Sequence, residues 1–175
     1  SIVAAIQRYF TQLDPVSNAY YELAIPITLT GDFEIEIDYK TSTTSTVMLF
    51  GSSLVANQYL AIQGDGDIEM ALNGHFRALG VAPIDGKINT LNISREGTSI
   101  TTLINGVDSG VVASSDREFV IDLVAKGFSG SFFGGILANI RFIDKSGVED
   151  VVIEFTLDSG KGVGVENSLN DNNAL

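Results

Sequence analysis

The chain has 175 residues, of which 45 % are hydrophobic and 18 % charged, and its formal net charge is −12. This composition excludes a disordered chain and predicts one domain with a substantial core. Nucleic acid and anionic membranes are excluded as partners, because they select clustered Lys and Arg, and this chain has only ten such residues, scattered along it. The absence of Cys excludes a disulfide framework, and no apolar run approaches the roughly 20 residues of a membrane-spanning helix.

Short β-prone runs follow one another along the chain. The first ten residues, SIVAAIQRYF, fit either a helix or the lead-in to a strand. After them come runs such as AYYELAI, FEIEIDY, TVMLFG, DIEMAL, INTLNIS, EFVIDLV, ILANIRFI and VVIEFTL. Segments rich in Gly, Asn and Asp separate them, among them TGD, GDGD, LNGH, IDGK and INGVDSG. Many short strands divided by such turns predict an all-β sandwich or barrel.

The stretch GDFEIEIDYK, residues 31–40, alternates apolar and polar side chains. On a strand, Phe33 and Tyr39 face the core with the two Ile between them, while Glu34, Glu36 and Asp38 share the other face. Two explanations fit these carboxylates: a solvated strand face, or the paired carboxylates of a glycosidase. The short chain and the absence of Trp to line a cleft favour the solvated face.

The turns predict two hairpins. Asn73-Gly74 joins 67–72 to 75–79, because Asn-Gly suits a two-residue turn with positive φ at both positions. A second turn at 95–98, with Gly97, joins 88–94 to 99–104. We interpret TSTTST, 41–46, as a loop or strand edge. The Gly-rich and Phe-rich stretch at 127–135 is interpreted as a bent crossover into the last core strand.

Two small groups of polar side chains are candidate sites, and no catalytic residue is predicted. Asp65 and Asp67 offer two carboxylates to Ca²⁺, the one cofactor that the sequence suggests, although turn chemistry explains them as well. His75 is the only histidine, which excludes a multi-His metal site. Together with Tyr59 and Arg77 it is a candidate ligand contact, and the alternative is a polar hairpin residue.

The run IDGKINTLNISREGTSITTLINGVDSG, residues 84–110, resembles the middle of laminin G-like and concanavalin A-like jelly rolls. Residues 8–40 resemble the opening of that family, and SFFGGILANIRFID, 131–144, resembles its closing segment. The resemblance implies a jelly-roll β-sandwich of two antiparallel sheets. It also implies a laminin G-like domain at 1–150, with a C-terminal strand and polar tail at 151–175 leading out of it. The middle run carries the motif at Asp85, Gly86, Leu91, Arg95, Gly97, Leu103, Asn105 and Gly106.

The end of the chain bears on function. VVIEFTLDSGKGVGVENSLNDN, 151–172, resembles the segment that follows such domains in phage and prophage tail or virion proteins. This implies a non-catalytic binding module, on a virion surface or outside the cell, that contacts a cell-surface glycan or other virion proteins and can form a homo-oligomer. Two alternatives stay open: a purely structural virion or decoration domain, and a laminarinase-type glycoside hydrolase. The family often has Trp where this chain has Ile88, which counts against an aromatic sugar platform there.

The ends of the sequence carry one further expectation. The chain lacks an initiator Met and stops in the polar stretch NSLNDNNAL. We expect a piece of a longer protein, and a native chain whose Met has been removed is the alternative.

Overall fold

The computed structural model describes residues 20–155, together with the backbone of two flanking strands at 7–10 and 164–167. Across these ranges it contains no helix with the length and hydropathy of a membrane span. In chain order the strands are β1 (Gln7–Phe10), β2 (Tyr21–Leu29), β3 (Phe33–Lys40), β4 (Val47–Gly51), β5 (Tyr59–Ile62), β6 (Asp67–Leu72), β7 (His75–Val81), β8 (Asn89–Glu96), β9 (Ser99–Ile104), β10 (Val107–Asp108), β11 (Ala113–Ser114), β12 (Phe119–Val124), β13 (Ile136–Asp144), β14 (Val151–Phe155) and β15 (Gly164–Asn167).

Two antiparallel sheets account for most of these strands. The larger sheet has the order β10-β9-β8-β3-β13-β14, with β11 also paired to β9, and the smaller has the order β2-β12-β4-β5-β6-β7. The remaining strands, β1 and β15, pair with each other. The predicted all-β fold with two antiparallel sheets is therefore confirmed. In the first ten residues the described part, β1, is a strand, and residues 1–6 lie outside the described residues.

The core lies between the two sheets. On β3 the side chains of Phe33, Ile35, Ile37 and Tyr39 are 0 % exposed, as their alternation predicts. Residues from opposite sheets contact each other there. The ring centres of Phe50 on β4 and Phe142 on β13, for example, lie 4.9 Å apart in an edge-to-face arrangement.

The hairpin turns follow the predicted chemistry. Asn73 and Gly74 have φ of 45° and 84° between β6 and β7, and Asn105 and Gly106 have φ of 52° and 78° between β9 and β10. Positive φ at both central residues gives the twist that suits a two-residue hairpin. Both predicted hairpins are confirmed, and the second one extends by two residues because β8 continues to Glu96.

Arg95, near the end of β8, is a buried cation. It lies at the end of the sandwich opposite to the β3–β4 loop, because it pairs with Phe33 at the start of β3. It is 1 % exposed, donates from Nε to the carbonyl of Gly31 at 2.8 Å, and donates from Nη1 to the carbonyl of Arg117. Its guanidinium also lies 4.7 Å from the centre of the Phe33 ring. One side chain thus ties three segments together.

The segment after residue 150 begins with a strand, as predicted. β14 pairs antiparallel with β13 and forms an edge of the larger sheet. The assignment of 151–175 as a strand and tail that leave the domain stays a prediction, and most of that range lies outside the described residues.

Candidate functional site

Three crossovers between the sheets meet at one end of the sandwich. The loop 41–46 joins β3 to β4, the loop 82–88 joins β7 to β8, and the segment 125–135 joins β12 to β13. Lys40 pairs with Ile136 in the β3–β13 register, so the first and third of these crossovers lie side by side. The second crossover contacts the first, because the amide of Gly86 donates to the carbonyl of Thr41 at 2.9 Å.

The three crossovers enclose a cleft of about 430 Å³. That volume lies within the roughly 300–1,000 Å³ of small-molecule sites. Phe132 and Lys40 are among the residues that line it, and no Asp or Glu is among the described residues that do so. Five residues of the loop 41–46 that carry a hydroxyl group also line the cleft: Thr41, Ser42, Thr43, Ser45 and Thr46.

Hydrogen bonds and close backbone contacts hold the walls in place. The hydroxyl of Thr41 donates to the carbonyl of Gly134 at 2.8 Å, and that of Thr46 donates to Gln63 at 2.7 Å. Gly135 packs so closely that a Cβ there would collide with the carbonyl oxygen of Lys40. A site whose walls are fixed before binding loses less conformational freedom when a ligand arrives.

Several hydroxyls remain available to a ligand. Ser42 and Ser45 have no side-chain hydrogen bond to another described residue. The Thr43 oxygen accepts from the amide of Ser45 at 3.3 Å, which leaves its proton free to donate. The cleft therefore offers both donors and acceptors beside an aromatic ring.

The ring of Phe132 has two neighbouring side chains outside the cleft lining. The rings of Tyr20 and Phe132 lie 6.1 Å apart, and Lys126 Nζ stands 3.8 Å from the centre of the Tyr20 ring and 5.7 Å from that of Phe132. Lys126 and Phe132 also form an isolated antiparallel bridge. Ala125, just before them, has the unusual φ of 67° for a side chain with a Cβ. The crossover is thus bent to bring Phe132 to the cleft.

The three residues predicted as ligand contacts lie on two faces of the smaller sheet. Tyr59 pairs across β6 with Phe76, whose ring lies 6.2 Å away, and its hydroxyl donates to Glu69. His75 and Arg77 flank Phe76 along β7, so they point to the opposite face. The assignment of Tyr59, His75 and Arg77 as ligand contacts stays a prediction.

His75 and Arg77 join the two sheets at that edge. His75 Nδ1 lies 3.1 Å from Ser115 Oγ, and Arg77 Nε donates to the carbonyl of Ser114 on β11. These side chains thus have structural partners on β11 and at the residue just after it. Burial and the bond to Glu69 raise the pKa of Tyr59 well above its ordinary value, which keeps that hydroxyl protonated.

The candidate Ca²⁺ ligands are exposed, with Asp65 in the turn between β5 and β6 and Asp67 at the first position of β6. The Asp65 carboxylate accepts from the amide of Asp67 at 3.1 Å, a local turn interaction. Among the described residues, no three His, Cys, Asp or Glu side chains are grouped as a metal site. Ca²⁺ at Asp65 and Asp67 would need backbone carbonyls or water as its other ligands, and it stays a prediction.

The three carboxylates of β3 lie on the outer face of the larger sheet, where each has a partner. Glu34 pairs with Lys145, and Glu36 accepts from Asn92 at 3.4 Å. The third, Asp38, accepts from Thr90 at 2.6 Å and from Asn139 at 2.7 Å. These partners come from β8, from β13 and from the segment just after β13, so the carboxylates act as cross-strand links.

Comparison with known proteins identifies the class by its fold. The chain is a jelly-roll sandwich of the laminin G and concanavalin A type. Mouse laminin α1 chain domains LG4-5 match 91 % of this chain with a TM-score of 0.50 at 18 % identity. The native heptameric SAP-like pentraxin of Limulus polyphemus matches 98 % of it, over 94 % of its own length, with a TM-score of 0.53 at 11 % identity.

At these identities the similarities show the fold alone. This chain spans about half, 48 %, of the laminin chain that it matches. No protein-family model and no curated protein matches the sequence. The sequence does not indicate the cleft residues, because 41–46 and 127–135 are typical of connections between strands. The run of hydroxyl residues in TSTTST was the one available signal, and it names no chemistry by itself.

Proposed function

We propose that this chain is a non-catalytic binding module that holds a carbohydrate in the cleft between the three crossovers. One observation carries the proposal: five hydroxyl residues and Phe132 line the same cleft of about 430 Å³. Sugars combine hydroxyl groups that donate and accept with apolar C–H faces. Small polar side chains together with an aromatic ring match both parts of that surface.

The placement of the carboxylates supports a non-catalytic role. Glycoside hydrolysis uses two carboxyl groups that flank the scissile bond. The described residues that line the cleft include none, and Glu34, Glu36 and Asp38 lie on the outer face of the larger sheet with partners of their own. A laminarinase-type activity would need a second site that includes this face.

The wider setting is part of the same proposal. The resemblance of 151–172 to virion proteins supports a place on a phage or prophage particle, outside the cell, with a cell-surface glycan or other virion proteins as partners. A homo-oligomer is compatible with this setting, and the pentraxin of similar fold is heptameric. A purely structural virion domain is the alternative, and it predicts that the chain binds no sugar.

A glycan array followed by calorimetry on the strongest sugar tests the cleft. The informative variant is Phe132→Ala, and the matched control is Phe128→Ala, an exposed Phe in the same crossover that does not line the cleft. We expect Phe132→Ala to weaken binding roughly three- to tenfold and Phe128→Ala to leave it unchanged. Circular dichroism melts check that both variants fold.

Two results would contradict the proposal. If the folded wild-type chain binds no glycan, the structural alternative is favoured. If a glycan binds with equal affinity to the wild type and to Phe132→Ala, the sugar site lies elsewhere, and Tyr59, His75 and Arg77 are the next positions to change.

A further inference from the structure

A line of polar and aromatic side chains runs over the outer face of the smaller sheet. Leu60 and Ile62 on β5 are 0 % exposed and point into the core. Their neighbours Tyr59 and Gln63 therefore point to the outer face, because successive side chains of a strand alternate. Glu69 on β6 takes the same face, since it pairs with the residue midway between those two.

Hydrogen bonds connect this line to the cleft. Thr46, one of the cleft residues, donates from its hydroxyl to Gln63 Oε1 at 2.7 Å. Gln63 Nε2 donates to Glu69 Oε1 at 3.3 Å, and the hydroxyl of Tyr59 donates to the same oxygen. The ring centres of Tyr59 and Phe76, on β7, lie 6.2 Å apart. A continuous series of contacts thus leads from the cleft to an aromatic pair.

Groups along this line are available to a ligand. Both bonds to Glu69 end at Oε1, and its Oε2 accepts from no described residue. The second proton of Gln63 Nε2 is likewise without a partner among the described residues. Phe76 is 49 % exposed. A carboxylate oxygen, an amide proton and an exposed ring match the hydroxyl donors, the oxygen acceptors and the C–H faces of a sugar.

The carboxylate of Glu69 also bears on the charge of the ligand. It forms no ion pair with a described basic residue. The chain as a whole has a net charge of −12. A carboxylate or sulfate on a sugar would be repelled at this position, whereas a sugar hydroxyl can donate a charge-assisted hydrogen bond to Oε2. The line therefore suits a neutral glycan.

We infer that the carbohydrate site extends from the cleft over the outer face of the smaller sheet, and that its ligand is a neutral oligosaccharide. The inference rests on the proposed carbohydrate-binding function and names its ligand class. Tyr59 and Gln63 bound a stretch of about 13 Å along the strand, which adds to the length of the cleft. One end of the oligosaccharide occupies the cleft, and a later sugar residue lies on Phe76 beside Glu69.

The test measures affinity against the length and charge of the glycan. Calorimetry would compare disaccharides and hexasaccharides of neutral β-1,3-glucan and β-1,4-galactan, the same lengths of the strongest array glycan, and trigalacturonate with its neutral methyl ester. The variants are Phe76→Ala and Glu69→Gln. Ile25→Ala and Glu22→Gln are the matched controls, because both residues are exposed on β2, the opposite edge strand of the same sheet.

We expect the wild type to bind a hexasaccharide about fivefold more tightly than the disaccharide of the same series. Phe76→Ala and Glu69→Gln should remove most of this gain and leave disaccharide binding unchanged, whereas the two β2 variants should change neither. Phe132→Ala should weaken both lengths, because both occupy the cleft. Circular dichroism melts check that each variant folds.

Three results would overturn the inference. Equal affinity for the two lengths, or hexasaccharide binding that is unchanged in Phe76→Ala and Glu69→Gln, overturns it and leaves the cleft as the proposed sugar site. Tighter binding of trigalacturonate than of its methyl ester overturns the neutral ligand. If no saccharide of the panel or of the glycan array binds, both the inference and the proposed function fail.

Discussion

The hydroxyl of Thr41 donates to the carbonyl of Gly134 across 2.8 Å, and this one bond joins two crossovers that lie 93 residues apart in the chain. Thr41 is 2 % exposed, so water cannot replace its hydroxyl. The same oxygen accepts from the amide of Thr43 at 3.3 Å. The shape of the cleft therefore depends on a buried side-chain bond as well as on strand pairing.

Replacing Thr41 with Val keeps the shape of the side chain and removes this bond. The Gly134 carbonyl then lacks its partner, and we expect the free energy of unfolding in urea to fall by about 1–2 kcal/mol. Thr44→Val is the matched control, because Thr44 is exposed in the same loop and its side chain has no hydrogen bond to a described residue. Equal effects of the two substitutions would show that the bond to Gly134 contributes nothing.

Gly135 is the position where the crossover approaches β3 most closely. It has φ of 140°, and a Cβ there would collide with the Lys40 carbonyl. Gly130 also has a positive φ, 89°, but open space surrounds the position of a Cβ there. Gly130→Ala is therefore a control that introduces the backbone strain without the collision. We expect Gly130→Ala to cost about 1 kcal/mol and Gly135→Ala about 3 kcal/mol or more, measured by urea denaturation. Similar losses for both variants would exclude the collision as the cause.

Arg95→Met tests the buried guanidinium. Burial lowers the pKa of Arg95, yet the side chain stays charged because an Arg titrates far above neutral pH. Met keeps the length of the side chain but leaves the Gly31 and Arg117 carbonyls without their donors, and we expect a loss of about 2–4 kcal/mol in unfolding free energy. The unfolding free energy of Arg95→Lys should lie between those of the wild type and Arg95→Met, because an ammonium group cannot reproduce the planar fork of the guanidinium group. An Arg95→Lys protein as stable as the wild type would contradict this account.

Asp85 should make the stability of the chain depend on acid pH. Hydrogen bonds from the amide of Lys87 and the side chain of Asn89 hold its pKa below the ordinary 3.8. Because the folded pKa is lowered, the stabilisation is present above pH 3.8 and is lost as pH falls through the folded pKa. Carbon-detected NMR titration measures the folded pKa directly. The melting-temperature gap between the wild type and Asp85→Asn should close as the solution is acidified, and a constant gap would contradict the prediction.

Much of the fold follows from local patterns. The alternation from Phe33 to Tyr39 predicted the buried face of β3, because successive side chains on a strand point to opposite sides. The Asn73-Gly74 turn predicted the β6–β7 hairpin, because positive φ is a property of those two residues themselves. The preference for a solvated strand face at Glu34, Glu36 and Asp38 agrees with their position on the outer face, though their individual partners were not predictable.

The cleft could not be read from the sequence in this way. Its walls come from residues 40–47, from Gly86 and from 132–136, and nothing in any one segment indicates the other two. Likewise Tyr59 and His75 are close in sequence, but the pairing of β5, β6 and β7 places them on opposite faces. Periodicity and turn propensity act over a few residues and are therefore written in the local sequence. The meeting of distant loops depends on which strands pair and in which register, and only the packed sandwich decides that.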